Sequence, residues 1–192
     1  DSRSDDVSVH VMAAPHLDVG GATHRLRVAA TASRGWRAVK RWRNDAGQRG
    51  TNFADDDLKP FTSALQVEDT WTIARRVIGT AGLAQLMARR TTADRLRVVP
   101  RSVVESHDTL PQVGLRWRFW RDCTLLGQVS AVAEPPTFDD LVAVAGPYPN
   151  LRRSVQPLAT QRAVTAEVGL RGTAAAWAWD VAVYRAAWRN EI

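Results

Sequence analysis

The residues best suited to chemistry in this chain fall in two polar stretches. Trp36, Arg37, Lys40, Arg41, Trp42 and Arg43 set cationic donors beside flat indole surfaces, and Tyr148, Arg152 and Arg153 repeat the combination farther along. Guanidinium groups offer fixed donors to oxyanions, and aromatic faces take up cations or planar groups, so such clusters suit an anionic or catecholic ligand. A hydrated loop that binds nothing is the plain alternative. Other candidates carry less. His10, His16, His24 and His107 show no metal-ligand spacing on a shared element, although His10 and His24 could approach across a hairpin. Ser106-His107-Asp108 cannot become nucleophile, base and orienter on an extended chain, and reads as a loop. Asp55-Asp56-Asp57 lacks the ligand ladder and glycine of a calcium loop and reads as a solvated acidic loop. Gly20-Gly21 and Gly47-Gln48-Arg49-Gly50 lack phosphate-loop spacing and a following helix, so they read as turns. No catalytic group, metal or cofactor is expected.

The elements that must carry these side chains show a period of two, the mark of strands with one apolar face. Val7, Val9, Val11 and Ala13 alternate with Ser8, His10 and Met12, and Leu26, Val28, Ala30 and Ala32 with Arg25, Arg27, Ala29 and Thr31. The same holds for Phe61, Leu65 and Val67, and for Val113, Leu115, Trp117 and Phe119. It returns in Leu125, Val129 and Ala131, in Val164 through Leu170, and in Trp177 through Val183. Val77–Arg89 is extended with its phase open. The connections alternate in length. Asp18–Ala22, Arg75–Arg76, Trp120–Cys123 and Gly172–Ala175 read as short turns, whereas Arg34–Asp57, Arg90–Leu110 and Glu134–Leu158 read as long polar loops.

Two all-β architectures share this alternation. A soluble sandwich buries its apolar face, and an outer-membrane barrel turns it to lipid. Long loops at one end and short turns at the other favour the barrel. So do Trp71, Trp117, Phe119, Trp177 and Trp179, which lie near short turns on the apolar phase, where an aromatic girdle belongs. Arg116, Arg118, Gln128, Glu167, Arg171 and Asp180 would then face the interior. No run of about 18 apolar residues exists, so no membrane helix is expected. The formal net charge of +6 admits nucleic acid, anionic lipid or an anionic ligand. The single cysteine, Cys123, excludes an internal disulfide and cysteine-rich zinc sites.

The segment Ser130–Leu141, with Glu134-Pro135-Pro136-Thr137-Phe138-Asp139-Asp140, resembles the strand-to-loop passage of TonB-dependent receptors. Gln161–Gly172 and Trp179–Arg185 are similar to the two strands that follow in that family. Arg43–Gly50 resembles an extracellular loop of its siderophore-receptor branch, and Val67-Glu68-Asp69 the next strand. The first forty residues match only as generic barrel strands. The resemblance implies an antiparallel transmembrane β-barrel segment of about eight strands, with short periplasmic turns and long extracellular loops, out of about 22 in a whole barrel. Residues 1–192 would form part of one barrel domain. A plug, an energy-coupling box and the usual aromatic C-terminal strand are missing, and both ends read as cut from something longer.

The implied function is TonB-dependent uptake of a ferric siderophore at the bacterial cell outer membrane, not catalysis. Trp36, Arg41, Trp42, Arg43, Tyr148, Arg152 and Arg153 are the expected ligand-binding residues. Partners would be the siderophore, TonB through a plug outside this chain, and outer-membrane lipid and lipopolysaccharide, with no nucleic acid. A soluble basic all-β module for nucleic acid or an acidic glycan is the alternative, and an inactive truncated receptor a further one.

Overall fold

The computed structural model describes residues 2–120, 122–146, 152–174 and 176–191. In chain order the elements are β1 (Ser2–Ala13), β2 (His16–Val19), β3 (Ala22–Asp45), β4 (Gln48–Ala74), β5 (Val77–Asp94), β6 (Ser102–Trp120) and β7 (Cys123–Glu134). Then follow α1 (Phe138–Leu141), β8 (Val142–Ala145), β9 (Arg152–Val155), β10 (Gln161–Ala174) and β11 (Trp177–Arg189). One antiparallel sheet runs β1-β3-β4-β5-β6-β7-β10-β11. β2 continues the line of β1 along β3 after a break at Ala14-Pro15, because proline cannot donate to the ladder. The Leu26 amide donates to the Pro15 carbonyl at 3.1 Å and keeps the break tethered. β8 and β9 form a separate small hairpin between β7 and β10. Among the described residues no helix is long and apolar enough to cross a membrane, which says nothing of strands.

The register assigns the two faces. Val28, Val67 and Leu83 stand on one row, and Gly127, Val168 and Val183 on another, all on the apolar face. On the polar face Arg27, Glu68, Gly82, Gln112, Ser130 and Thr165 share a row. Val113, Val168 and Val183 are more than half exposed, so this face is not covered by the rest of the chain. The phase of β5, open in the sequence, is set by its partners. Val77, Gly79, Ala81 and Leu83 join the apolar face, and Ile78, Thr80 and Gly82 the polar one.

The expected turns at Asp18–Ala22 and Arg75–Arg76 are present; those at Trp120–Cys123 and Gly172–Ala175 fall partly on Arg121 and Ala175, outside the described residues, and Gly172–Ala174 belongs to strand β10. The long loops are largely folded. β3 and β4 continue pairing to Asp45↔Gln48, so Arg34–Asp57 is a strand hairpin rather than a loop. It closes in two residues, Ala46 (φ 49°) and Gly47 (φ 86°), the positive-φ pair that fits the twist of a hairpin. Most of Arg90–Leu110 is also strand, leaving 95–101 as the connection. Within Glu134–Leu158 lie α1, β8 and β9. Ser106-His107-Asp108 and Asp55-Asp56-Asp57 are therefore strand residues of β6 and β4, not loops.

The apolar rim at the short-turn end is built from tryptophan on glycine. Trp71 sits opposite Gly79, and Trp179 opposite Gly172. A Cβ added to Gly79 would stand 2.9 Å from the Trp71 ring, and one on Gly172 would stand 2.5 Å from the Trp179 ring. The missing side chain is the seat of the indole. Trp117 packs on Phe119 with ring centroids 5.7 Å apart. Gly172→Val is expected to cost about 1–3 kcal/mol by overpacking. It should also unseat Trp179, read as a changed tryptophan emission spectrum, whereas Gly127→Ala, with nothing near its Cβ position, should leave it unchanged.

Candidate functional site

Two polar regions are candidates, and the sheet places both on one side. The polar face encloses a trough of about 1030 Å³. Arg25, Arg27, Glu68, Gln112, Arg116, Gln128 and Glu167 line it. Gln112 donates to Glu68 across the intervening strand β5, and Gln128 donates to Glu167 at 2.8 Å. Arg171 reaches Asp180 at 2.6 Å. Such pairs keep charges satisfied on a face that a wet or filled interior must cover. The histidines do not meet. His10, on the polar face, bonds Thr31 at 3.0 Å, while His24, on the apolar face, bonds Asp69 at 2.7 Å and stacks on Trp71. Among the described residues no group of three His, Cys, Asp or Glu could hold a metal.

The second region is the long-loop end, where the segment after β7 folds back over the wall. Thr137 caps α1. Its hydroxyl accepts from the Asp140 amide, and the Asp140 carboxylate accepts from the Thr137 amide at 2.8 Å and from its hydroxyl at 2.7 Å. Those two bonds hold the Asp140 carboxyl below the usual carboxylate range. Leu141 is fully buried, and its carbonyl accepts from the Gln156 amide at 2.8 Å, which closes α1 onto the chain after β9. The Glu-Pro-Pro-Thr-Phe passage thus starts a capped helical turn that anchors this flap.

Charge pairs fasten the flap to the hairpins. The Arg153 guanidinium is buried between Asp56 of β4, to which it donates, and Asp94 of β5 at 3.5 Å. Asp94 also accepts from the amides of Leu96, Val98 and Val99 at 2.9–3.0 Å, so one carboxylate orders the 95–101 connection and faces Arg153. Arg41 lies 4.0 Å from Asp139 of α1. Beside this cluster Arg95 makes a two-pronged pair with Asp57, at 2.8 and 2.9 Å, and Lys40 lies 3.7 Å from Asp55. Burial pushes the Asp56 carboxyl above the usual range. Arg153 pulls it back without prevailing, and Asp94 adds to the push.

A raised carboxyl value means that the folded state holds the Asp56 proton more tightly than the unfolded chain does. This group's contribution to flap docking is therefore fully present at low pH and is lost as pH rises through the raised value. After correction for intrinsic exchange, amide protection of 152–155 is expected to fall as pH climbs from about 4 towards neutrality. Asp56→Asn should flatten that dependence.

The structure splits the seven residues singled out in the sequence. Arg41 and Arg43 lie on the polar phase of β3, and Arg41 shares the neighbourhood of Asp56 with Arg153. Trp36 and Trp42 lie on the opposite phase, where Arg49 stacks over the Trp42 ring at 3.4 Å. Arg152 is exposed, whereas the neighbouring Arg153 side chain is buried. Tyr148 lies outside the described residues. Asp56 stood out in the sequence only as part of an acidic run read as a solvated loop, and Asp94 not at all. The signal for Asp94 was an acid beside a turn, too common to single it out.

A family model described as TonB dependent receptor-like, beta-barrel, matches residues 5–192. No curated protein matches the sequence significantly. Among solved structures the chain is similar to the ferric citrate transporter FecA in unliganded form (TM-score 0.79, 12% identity), over 95% of this chain and 27% of that one. It is similar to BauA, the ferric preacinetobactin receptor from Acinetobacter baumannii (TM-score 0.69, 16% identity), over 95% of this chain and 28% of that one. The copper transporter OprC is also similar (TM-score 0.63, 14% identity), over 95% of this chain and 30% of that one. The chain thus spans less than a third of the length of these structures, and at such identities they speak for the fold. With the wall, its rim and its flap accounted for, and with almost the whole chain matched, this protein belongs to the TonB-dependent receptor family and forms part of its β-barrel.

Proposed function

We propose that residues 1–192 form part of one barrel domain in an outer-membrane receptor that takes up a ferric siderophore with energy delivered through TonB, a transporter and not an enzyme. The observation that carries this reading is the polar-faced wall with a flap fastened to its long-loop end through Arg153, in a chain matched by the family's barrel model. Ferric-ligand carriers among its fold neighbours support the cargo. Energy coupling requires a plug domain outside these residues, which would occupy the trough and meet its Arg side chains and its Gln–Glu pairs.

For ligand contact the geometry favours Arg41, Arg43 and Arg152 at the mouth. Arg153 is committed to Asp56 and Asp94, so its part is to hold the flap. Tyr148 remains a candidate π surface. Trp36 and Trp42 suit the outer surface of the hairpin, against lipid headgroups or lipopolysaccharide. A charged hydrogen bond is worth about 1.5–3 kcal/mol, so Arg41→Ala with Arg152→Ala is expected to weaken ferric-siderophore binding to the intact receptor by tenfold or more. Fluorescence quenching measures the affinity, and iron-55 uptake by iron-starved cells measures transport. Loss of uptake on deleting the receptor, and again on deleting TonB, is the expected result. Unchanged iron uptake with lost copper uptake would assign a different cargo.

A further inference from the structure

Strands β6 and β7 both continue upward past the point where they stop pairing. Their ladder runs from Trp120↔Cys123 to Gln112↔Ser130, yet β6 extends to Ser102 and β7 to Glu134. Above Gln112 β6 pairs only with β5, and above Ser130 β7 pairs only with β10. Proline sets this seam. The Arg118 amide donates to the Arg76 carbonyl at 2.9 Å, on the β5 side. In an antiparallel sheet successive residues turn their N–H and C=O groups to opposite edges, so the odd-numbered residues of β6 turn theirs towards β7. Pro111 is the first of these above the ladder, and it has no N–H to give.

The far side of the seam is closed to pairing in the same way. Pro135 and Pro136 follow β7, and with Ser106, His107 and Leu158 they line a cleft of about 260 Å³. The height of the seam has its own reason. Backbone in hydrocarbon must be paired, and the ladder spans Val113, Leu115 and Trp117. It ends where the outward side chains of β6 become Thr109, His107 and Glu105. Two side-chain ties stand in for the missing ladder. Arg162 of β10 reaches across Ala133 of β7 to the buried Asp108 of β6, its Nε and Nη2 at 2.6 and 2.5 Å from one carboxylate oxygen. The second tie is the flap, which leaves β7, returns to β10 and is pinned to β4 and β5 through Arg153. Among the described residues Ser106 Oγ and the other Asp108 oxygen are buried without a hydrogen-bond partner. Opening the seam returns both to water, which offsets part of the loss of contact.

We propose that the β6–β7 seam is a gate in the wall. The upper ends of β7 and β10 lean away from β6 when the Arg162–Asp108 tie releases, widening the mouth sideways while the ladder below stays shut. Both ties hold the same closed arrangement, so loosening one weakens the other. The inference needs only the barrel wall and not the identity of the cargo.

The test uses the intact receptor in nanodiscs. With no substitution, the amides of Val103, Glu105, His107 and Thr109 are expected to exchange about tenfold faster or more than those of Val104, Ser106, Asp108 and Leu110, which face β5. Spin labels then measure the gap, in a receptor whose native cysteines, Cys123 among them, are changed to serine. One labelled pair is Thr109 with Glu134 across the seam, and the other is the ladder pair Val113 with Val129 below it. Asp108→Asn with Arg162→Gln should lengthen the seam distance by about 5 Å, one strand spacing, and leave the ladder distance unchanged. The same double variant should speed amide exchange in 152–155, on the flap, by about fivefold or more. Heat-modifiable electrophoresis checks that it is folded. If it is not, Arg162→Lys decides by a smaller lengthening in the same direction. An unmoved seam distance, a ladder distance that lengthens equally, or equal exchange of the two amide sets would overturn the proposal.

Discussion

Arginine in place of Val168 is expected to destabilise the membrane-inserted barrel by about 2–4 kcal/mol, whereas arginine in place of Thr165 should change it by less than about 0.5 kcal/mol. Val168 lies on the apolar face with Gly127 and Val183 as cross-strand neighbours, and neither offers a carboxylate. It is 59% exposed on this chain, so its environment is whatever covers the wall. Lipid cannot solvate a guanidinium near the midplane, and the penalty falls only if the side chain reaches the headgroups. Thr165 is on the opposite face in the row of Ser130. Urea unfolding of the intact receptor in vesicles measures both. Equal effects would mean that the apolar face does not meet hydrocarbon.

The second large effect belongs to Arg153. Removing one partner of a buried ion pair leaves the other charge desolvated, at about 3–5 kcal/mol. Arg153→Met would leave Asp56 and Asp94 facing each other. Asp94 keeps its three backbone donors, so the strain falls on Asp56, already pushed up by burial. The expected outcome is an undocked flap in a barrel that otherwise holds together, seen as protease cleavage within 135–160 and lost amide protection there. Adding Asp56→Asn to Arg153→Met should restore part of the docking. A flap that stays protected in the single variant would show that Leu141 and the α1 cap suffice to seat it.

What could be read in advance follows from how far each signal reaches along the chain. The strand phases from Val7 to Val183, that of Val77–Arg89 excepted, were legible because a wall between lipid and a polar interior imposes apolar and polar residues in alternation. Above that zone both faces of β3 and β4 meet water or other polar groups, the alternation fades, and Arg34–Asp57 looked like a loop although it pairs to the tip. The clue that remained was Ala46-Gly47 as a two-residue turn. The ligand cluster was legible as composition but not as direction. Trp36 and Arg41 are close in sequence and lie on opposite phases, and Arg152 and Arg153 are adjacent with opposite surroundings. Arg153 meets Asp56 across a separation of 97 residues. Periodicity and motif spacing are local, so neither sees such a pair.

The tryptophans seated on glycine have one more consequence, which concerns how the receptor adjusts to membranes of different thickness. Trp71 on Gly79 and Trp179 on Gly172 cannot slide along their strands without losing their seats, so one edge of the hydrophobic belt is pinned to the inner headgroup level. The opposite edge has no ring seated in this way. It passes through Gln85, Thr109 and His107 to Arg34, Arg89 and Glu105, whose long side chains can reach up or down to the headgroups. A thicker or thinner bilayer is then matched at the outer edge alone. The mouth rises or sinks relative to the surface, while the inner rim keeps its depth.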